Sequence, residues 1–289
     1  MSDTTNKLIL GDCLEKMRDI QDESVDLVIT SPPYDNMRLY KGYTFDFKGI
    51  AEQLFRVLKQ GGVCVWVIGD ETKDFKESLS SFRQAIYFCE TGFGLLDTMI
   101  YAKKNVPPTY PNMKRYIPSF EFMFVFTKGK PKTFNPILDR PNKYAGVRKT
   151  GDTQRQKDGT TKSVRGYVPK EFGMRFNIWL YDVGKNKDTK DKEAFQHPAR
   201  FPEMLVYDHI LSWSNAGDTI LDPMMGSGTT GKIANMLSRN FIGIEISVDY
   251  LKIAQNRILM SAVDDIGSNE VINIVRRTEH AHGIGVEDE

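Results

Sequence analysis

The feature that most constrains the fold is a strand–turn–helix–strand unit near the C-terminal end of the chain. An apolar segment ending on Asp222 leads into the glycine-rich run PMMGSGTTG (223–231), and a helical segment and a second apolar strand ending on Glu245 follow. Glycines in such a turn let the backbone approach a ligand, and an acid about 20 residues further on can bind ribose hydroxyls. The unit predicts an open α/β sheet with a ligand site at the carboxyl ends of its strands.

A second candidate site is the tetrapeptide Ser31-Pro32-Pro33-Tyr34. It follows the apolar run 25–30, whose length and β-branched residues predict a buried strand. Two prolines then end any ladder pairing, because neither has an N–H group. A hydroxyl, a carbonyl and an aromatic ring therefore meet at the carboxyl end of a strand, where open α/β sheets bind ligands. The structural alternative is a Pro-Pro turn in which the tyrosine is merely packed.

The glycines of the late turn leave two enzyme classes open. Gly226, Gly228 and Gly231 satisfy the spacing G-x-G-x-x-G, which fits a nicotinamide-dependent oxidoreductase. However, Asp222 at the strand tip would repel a pyrophosphate and attract a cationic or amino group. The Ser-Pro-Pro-Tyr tetrapeptide also has no role in hydride transfer.

Together the two motifs resemble those of the DNA amino-methyltransferases, which combine a (Ser/Asp/Asn)-Pro-Pro-(Tyr/Phe) tetrapeptide with an Asp-Pro-x-x-Gly-x-Gly turn. The tetrapeptide comes first here, an order similar to that of the β, circularly permuted, class. The resemblance covers roughly residues 7–260. It implies a Rossmann-like S-adenosylmethionine-dependent methyltransferase fold: a mostly parallel seven-stranded sheet with helices on both faces, circularly permuted, with a target-recognition insertion.

The resemblance also implies roles for individual residues. Those implied in catalysis are Ser31, Pro32, Pro33 and Tyr34, and those implied in binding S-adenosyl-L-methionine are Asp12, His197, Pro198, Arg200, Phe201, Asp222, Met224, Gly226, Ser227, Gly228, Thr229, Thr230 and Glu245. Asp12 would accept an amino hydrogen of the cofactor adenine, and its alternative role is the N-cap of the next helix. Residues 197–202 would wall the methionine end of the cofactor. No metal is expected, because His197 has no second ligand at a usable spacing.

Positive charge is concentrated between residues 128 and 176. This segment holds 13 Lys and Arg against four Asp and Glu, in a chain of formal net charge +1. It lacks the apolar periodicity needed for a core of its own, and it is expected to contact phosphates. The residues predicted to contact DNA are Arg38, Lys143, Arg148, Lys149, Arg155, Lys157, Lys162 and Arg165. A solvated insertion is the alternative, and base readout cannot be assigned to single residues.

The predicted organisation has four parts. Residues 1–127 form the catalytic half of the methyltransferase domain, 128–176 the target-recognition insertion, 177–262 the cofactor-binding half and 263–289 a tail. Three cysteines without a C-x-x-C pair indicate neither a disulfide framework nor a zinc site. No apolar run approaches the ~18 residues of a membrane span, so a cytoplasmic protein without membrane contact is expected.

Two local predictions concern the segment after the third strand. Residues 76–92 have the apolar spacing of an amphipathic helix, with Phe82, Ala85, Ile86 and Phe88 predicted to face inward. Asp70 follows the apolar strand 63–68 and is predicted either to shape the base pocket or to cap a helix.

The implied reaction is direct methyl transfer to the exocyclic amino group of a base. Such a base must be flipped out, because it is unreachable inside a duplex. Ser31 at the first tetrapeptide position resembles the cytosine-N4 enzymes, although either acceptor can hold an amino group. We therefore expect double-stranded DNA as substrate and cytosine N4 as target, with adenine N6 as the alternative. A homodimer, a cognate restriction endonuclease and a non-catalytic DNA-binding relative stay open.

Overall fold

The computed structural model describes residues 6–33, 45–106, 114–184, 189, 191 and 201–264. They form two compact units: the first contains the described residues of Met1–Asn135 and Asn177–Gly267, and the second those of Pro136–Phe176. Residues 128–135, which the sequence assigned to the insertion, thus belong to the first unit. The buried Lys128 side chain is one reason, because its Nζ donates to the Leu58 carbonyl at 3.0 Å.

Twenty helices and strands are found in the described residues. The helices are α1 (Cys13–Met17), α2 (Phe47–Val57), α3 (Ser80–Thr91), α4 (Glu203–Trp213), α5 (Thr229–Met236) and α6 (Val248–Asp264). The strands are β1 (Asn6–Leu10), β2 (Val25–Thr30), β3 (Leu58–Ile68), β4 (Thr72–Lys73), β5 (Lys76–Glu77), β6 (Gly94–Lys103), β7 (Phe120–Thr127), β8 (Arg140–Pro141), β9 (Asp152–Arg155), β10 (Thr161–Val164), β11 (Phe172–Gly173), β12 (Ile178–Tyr181), β13 (Thr219–Asp222) and β14 (Asn240–Glu245).

One large sheet organises the first unit. Its strand order is β1-β14-β13-β2-β3-β7-β6-β12. Every neighbouring pair is parallel except the two pairs that involve β7. The predicted mostly parallel α/β sheet is therefore confirmed, but it has eight strands rather than seven. One edge of the sheet is β12, which pairs parallel to β6 with Ile178 opposite Ile100.

Helices cover both faces of this sheet, which explains why its central strands are apolar throughout. Cys64, Trp66 and Ile68 of β3 pack into a core cluster with side chains of α1, α2 and α3. The intervening valines of β3 are equally buried, because successive strand side chains point to opposite faces. On that second face, His209 of α4 places Nε2 3.3 Å from Sδ of Met123 in β7.

Helix α3 buries a different stripe from the one predicted. Ala85 and Phe88 are buried as expected, but Phe82 and Ile86 are 46% and 60% exposed. The inward positions are completed by two polar residues, Ser81 and Gln84. Gln84 can be buried because its Oε1 accepts a hydrogen bond from Trp66 Nε1 at 2.9 Å. The prediction for Phe82 and Ile86 was wrong because this polar partnership cannot be seen in the helix itself.

The second unit consists of short antiparallel pairs. β9 and β10 form a hairpin in which Arg155 lies opposite Thr161, and β11 pairs with β8. Arg175 pairs with Asp139 within the same unit. None of the helices described in either unit has both the length and the apolar character needed to cross a bilayer.

The aromatic core beside α3 yields a stability prediction. Phe88 is fully buried and stacks on Phe126 at 4.7 Å between ring centroids. Truncation in Phe88→Ala leaves a cavity, so we expect the free energy of unfolding to fall by about 3–5 kcal/mol. Ile86→Ala, on the exposed face of the same helix, should change it by less than about 0.5 kcal/mol. Urea unfolding followed by circular dichroism measures both, and equal losses would contradict the assigned helix face.

Candidate functional site

Five neighbouring strands of the sheet end at the same edge. They are parallel and lie in the order β1, β14, β13, β2 and β3. After β13 the chain crosses through α5 to β14, whereas after β2 it crosses through α2 to β3 on the opposite side. The connections thus diverge between β13 and β2, and ligands of open α/β sheets bind in the crevice at such a switch point. Asp222 ends β13 and Ser31 follows β2, so the two sequence motifs flank this crevice.

A buried hydrogen bond joins the two motifs. Thr30, the last residue of β2, donates its hydroxyl to Asp222 Oδ1 at 2.8 Å, across 192 positions of sequence. Thr30 is fully buried and Asp222 is 3% exposed. Ser31 follows Thr30 directly, so the tetrapeptide begins one residue after a side chain that hydrogen-bonds to Asp222, the residue just before the glycine-rich run.

Asp222 also organises the turn that follows it. Its Oδ2 accepts from the Thr230 hydroxyl at 2.7 Å, and its Oδ1 accepts from Met224 N at 3.1 Å. The pKa of Asp222 is raised to about 6, chiefly because the side chain is buried. The charge of Glu245 also raises the pKa, whereas the hydrogen bonds from Thr230, Thr30 and Met224 N lower it. The side chain is therefore an anion at neutral pH that becomes neutral in mildly acidic solution.

Glu245 connects the turn to the neighbouring strand. Its two carboxylate oxygens accept from Gly226 N at 2.9 Å and from Ser247 N at 2.8 Å. Its backbone carbonyl accepts from Gly11 N at 2.9 Å, which ties the end of β1 to the same place. Burial raises the pKa of Glu245 as well. Two buried carboxylates thus lie on either side of the glycine-rich turn.

Two of the three spaced glycines are required by packing. Gly228 has a φ of +77°, and a Cβ placed on it would lie 2.6 Å from Cβ of Ala254 in α6. A Cβ on Gly231 would lie 2.5 Å from side-chain atoms of Phe241 and Ile258. These distances are too short for any side chain, so the spacing lets α5 and α6 pack closely against each other and the sheet.

Two other carboxylates at this edge cap helices. Asp12 Oδ1 accepts from Leu14 N at 2.8 Å and Glu15 N at 3.2 Å, so the N-cap alternative describes its contacts. Asp70 accepts from Ser81 N in the first turn of α3 at 2.9 Å. Of the two roles predicted for Asp70, its contacts therefore fit helix capping.

The predicted site residues divide into three groups. Those described at or next to the crevice are Ser31, Pro32, Pro33, Asp222, Met224, Gly226, Ser227, Gly228, Thr229, Thr230 and Glu245, with Asp12 at the end of β1 on the same edge. Phe201 is half-buried just before α4. Those that lie outside the described residues are Tyr34, Arg38, His197, Pro198 and Arg200.

The sequence did not identify Thr30 or Arg257 as functional candidates. Thr30 is a lone hydroxyl at the end of an apolar run, and Arg257 is a charged residue on the apolar face of α6, where it is 1% exposed. Each is a polar group in an apolar setting, a run of strand residues for Thr30 and an apolar helix face for Arg257, and buried polar groups need specific partners.

The second unit presents a surface rich in positive charge. Its predicted DNA contacts are all exposed: Lys143, Arg148, Lys149, Arg155, Lys157, Lys162 and Arg165. The Nζ atoms of Lys143 and Lys149 lie 5.7 and 5.3 Å from the ring centroid of Tyr144. None of the seven forms an ion pair with a carboxylate whose side chain the structure describes, so their charges remain available to an anion.

Comparison with known proteins identifies curated relatives. The chain is 53% identical over 243 residues to the orphan methyltransferase M.BamHII of Bacillus amyloliquefaciens, an alignment that covers 83% of this chain and 90% of the relative. It is 28% identical over 286 residues to the type II methyltransferase M.HinfI of Haemophilus influenzae, an alignment that covers 89% of this chain and 69% of the relative.

Solved structures share the fold. The PvuII DNA methyltransferase (cytosine-N4-specific) superposes with a TM-score of 0.66 at 21% identity, over 97% of this chain and 94% of the other. An M1.HpyAVI–SAM complex superposes with a TM-score of 0.58 at 22% identity, over 88% of this chain and 100% of the other.

The family model described as DNA methylase matches residues 25–256, which include both motifs, the second unit and most of the large sheet. S-adenosylmethionine is the cofactor of the methyltransferases in this family, so the predicted cofactor is confirmed. This match and the 53% identity to a methyltransferase show that the chain belongs to the N6/N4 family of DNA methylases.

Proposed function

We propose that this protein transfers a methyl group from S-adenosylmethionine to the N4 amino group of a flipped cytosine in double-stranded DNA. The observation that supports this most directly is the hydrogen bond from Thr30 to Asp222 at 2.8 Å. It keeps the residues proposed to hold the methyl acceptor beside the turn proposed to hold the methyl donor. A methyl group can pass only between atoms about 3–3.5 Å apart, so this adjacency is a condition for transfer.

The tetrapeptide is proposed to shape the acceptor. The exocyclic nitrogen of cytosine is a poor nucleophile, because its lone pair is delocalised into the ring. The Ser31 hydroxyl and the Pro32 carbonyl each accept one amino hydrogen, which favours a pyramidal nitrogen with its lone pair directed at the methyl group. Tyr34 stacks on the flipped base. The new N–C bond would replace the bond between the methyl group and the sulfur of the donor, which would leave as a neutral thioether, and the nitrogen would release one of its hydrogens as a proton to solvent.

The late turn is proposed to hold the cofactor. When bound, S-adenosylmethionine supplies a methyl group activated by a positively charged sulfur. Asp222 attracts the positive charge of the cofactor, and Glu245 accepts from ribose hydroxyls. Both carboxylates already accept hydrogen bonds within the protein, so they also fix the turn in place before the ligand arrives. In the same proposal residues 197–202 wall the methionine end and Asp12 contacts the adenine.

The second unit is proposed as the DNA-contacting part. Its exposed lysines and arginines match the phosphate backbone, and Arg38 would add a contact near the flipped base. The cytoplasmic location expected from the sequence belongs to the same proposal. Neither a homodimer nor a cognate endonuclease is needed for it, and both remain predictions.

Two observations support cytosine as the proposed target base. Ser31 at the first tetrapeptide position resembles the cytosine-N4 enzymes, and the name of the PvuII enzyme states that specificity. Incubation of unmethylated plasmid DNA with labelled cofactor, followed by nucleoside mass spectrometry, should yield N4-methylcytosine. N6-methyladenine would support the alternative base instead, and no methylated nucleoside would support a non-catalytic relative.

Removal of the Ser31 hydroxyl tests the acceptor side. Ser31→Ala loses one hydrogen bond to the reacting amino group, worth about 1.5–3 kcal/mol if it strengthens as charge develops. We expect kcat to fall about 10- to 100-fold, while cofactor and DNA affinities stay within about twofold. Ser24→Ala, just before the opposite end of β2, should leave all three unchanged. A variant with normal kcat would remove Ser31 from the mechanism.

The raised pKa of Asp222 predicts a pH-dependent cofactor affinity. Above about pH 6 the carboxylate is ionised and attracts the cationic cofactor, whereas below it the group is neutral. Asp222→Asn is neutral throughout, so it should bind S-adenosylmethionine about tenfold more weakly than wild type at pH 7.5, or ~1.4 kcal/mol. At pH 5 the two proteins should bind alike. Titration calorimetry measures the ratio, and a ratio independent of pH would contradict this role.

A further inference from the structure

Helix α6 carries a buried guanidinium beneath the glycine-rich turn. Arg257 is 1% exposed and lies one residue before Ile258 and three after Ala254, the two residues that contact Gly231 and Gly228. Residues three and four apart share one face of a helix, so one face of α6 supports the turn. A charge buried this deeply is tolerated only if it is paired and hydrogen-bonded.

The three nitrogens of Arg257 bind three different segments. Nη1 donates to the Ser227 carbonyl at 2.5 Å, and it also lies 3.0 Å from Ser227 Oγ and 3.2 Å from Thr229 Oγ1. Nε donates to Asp191 Oδ2 at 2.6 Å, and Nη2 donates to Glu203 Oε1 at 2.9 Å. The planar fork of an arginine suits this arrangement, since its donors point in fixed directions.

The two carboxylates are held by further donors. Glu203 Oε1 also accepts from Lys232 Nζ at 2.9 Å and from Thr189 Oγ1 at 2.7 Å. Lys232 Nζ lies 3.9 Å from Asp191 Oδ2. Two cations and two anions therefore balance, and each member has more than one partner. Such a network is rigid, because loss of one contact leaves buried charge without compensation.

We propose that Arg257 is a positioning residue for the cofactor site. It fixes the turn Ser227–Gly228–Thr229 against Asp191 and Glu203, and so presets the shape of the turn that receives S-adenosylmethionine. The inference rests on the proposed function of that turn, and it assigns Arg257 no contact with substrate. A preset turn lowers the ordering cost of binding, so the residue acts on cofactor affinity rather than on the transfer step.

A matched pair of arginines separates positioning from stability. Arg239 is also buried, and it donates to the Ser214 carbonyl, Ser214 Oγ and the Leu237 carbonyl, beyond the far end of α5 from the turn. Lysine keeps the charge at each position but loses the fork. Arg257→Lys and Arg239→Lys should both lower the melting temperature, which reports their structural cost.

Cofactor affinity then distinguishes the two variants. Well below both melting temperatures, Arg257→Lys should raise the Kd and KM for S-adenosylmethionine at least about tenfold, with kcat at saturating cofactor within about threefold of wild type. Arg239→Lys should leave Kd within about twofold. Equal weakening in the two variants, or an unchanged Kd in Arg257→Lys, would overturn the proposal.

A second variant covers the case in which Arg257→Lys does not fold. Asp191→Asn removes the charge that orients Nε and leaves every contact of Arg257 with the turn in place. It should weaken cofactor binding by a smaller factor, about threefold or more, and an unchanged Kd would overturn the proposal. Wild-type protein that binds no S-adenosylmethionine would refute the proposed function itself, whereas normal binding by wild type and all variants would refute only the role of Arg257.

Discussion

One buried carboxylate shared by two threonines holds the site together. Asp222 would be costly to bury alone, and hydrogen bonds from Thr30, Thr230 and the Met224 backbone offset that cost. Because Thr30 belongs to β2 and Thr230 to α5, this single group aligns the tetrapeptide with the glycine-rich turn. The alignment depends on strand register: a slip of one residue in β2 would turn Thr30 to the opposite face.

The strands of the fold were predictable because their signal is local. Buried parallel strands read as continuous apolar runs, and the runs that lead to Ser31, Asp222 and Glu245 became β2, β13 and β14. The number of strands was taken from the family resemblance rather than from the apolar runs, and the sheet has eight strands instead of the seven implied. The inward face of α3 was missed in part, since Gln84 is buried only through a partner on β3.

Within the site, sequence reasoning found residue types but not partnerships. It identified Asp222 and Glu245, yet the donors that reach them come from residues up to 192 positions away. The glycine spacing was interpreted as room for a ligand, whereas Gly228 and Gly231 are also demanded by Ala254, Ile258 and Phe241. The spacing G-x-G-x-x-G can therefore arise from packing in this fold and from pyrophosphate binding in another. For that reason the sequence also allowed a nicotinamide-dependent oxidoreductase, and the family match removes that alternative.

The excess of cations in the second unit has a consequence for the first encounter between the enzyme and DNA. Residues 136–176 hold ten Lys and Arg against four Asp and Glu, so the other 248 residues hold 29 against 34 and are net acidic. A polyanion is thus attracted by one segment and repelled on average by the remainder, which biases the orientation of first encounter and raises the association rate. At physiological ionic strength this guidance extends only about 8 Å, so added salt should slow capture of DNA long before it disturbs the buried, unscreened contacts around Asp222.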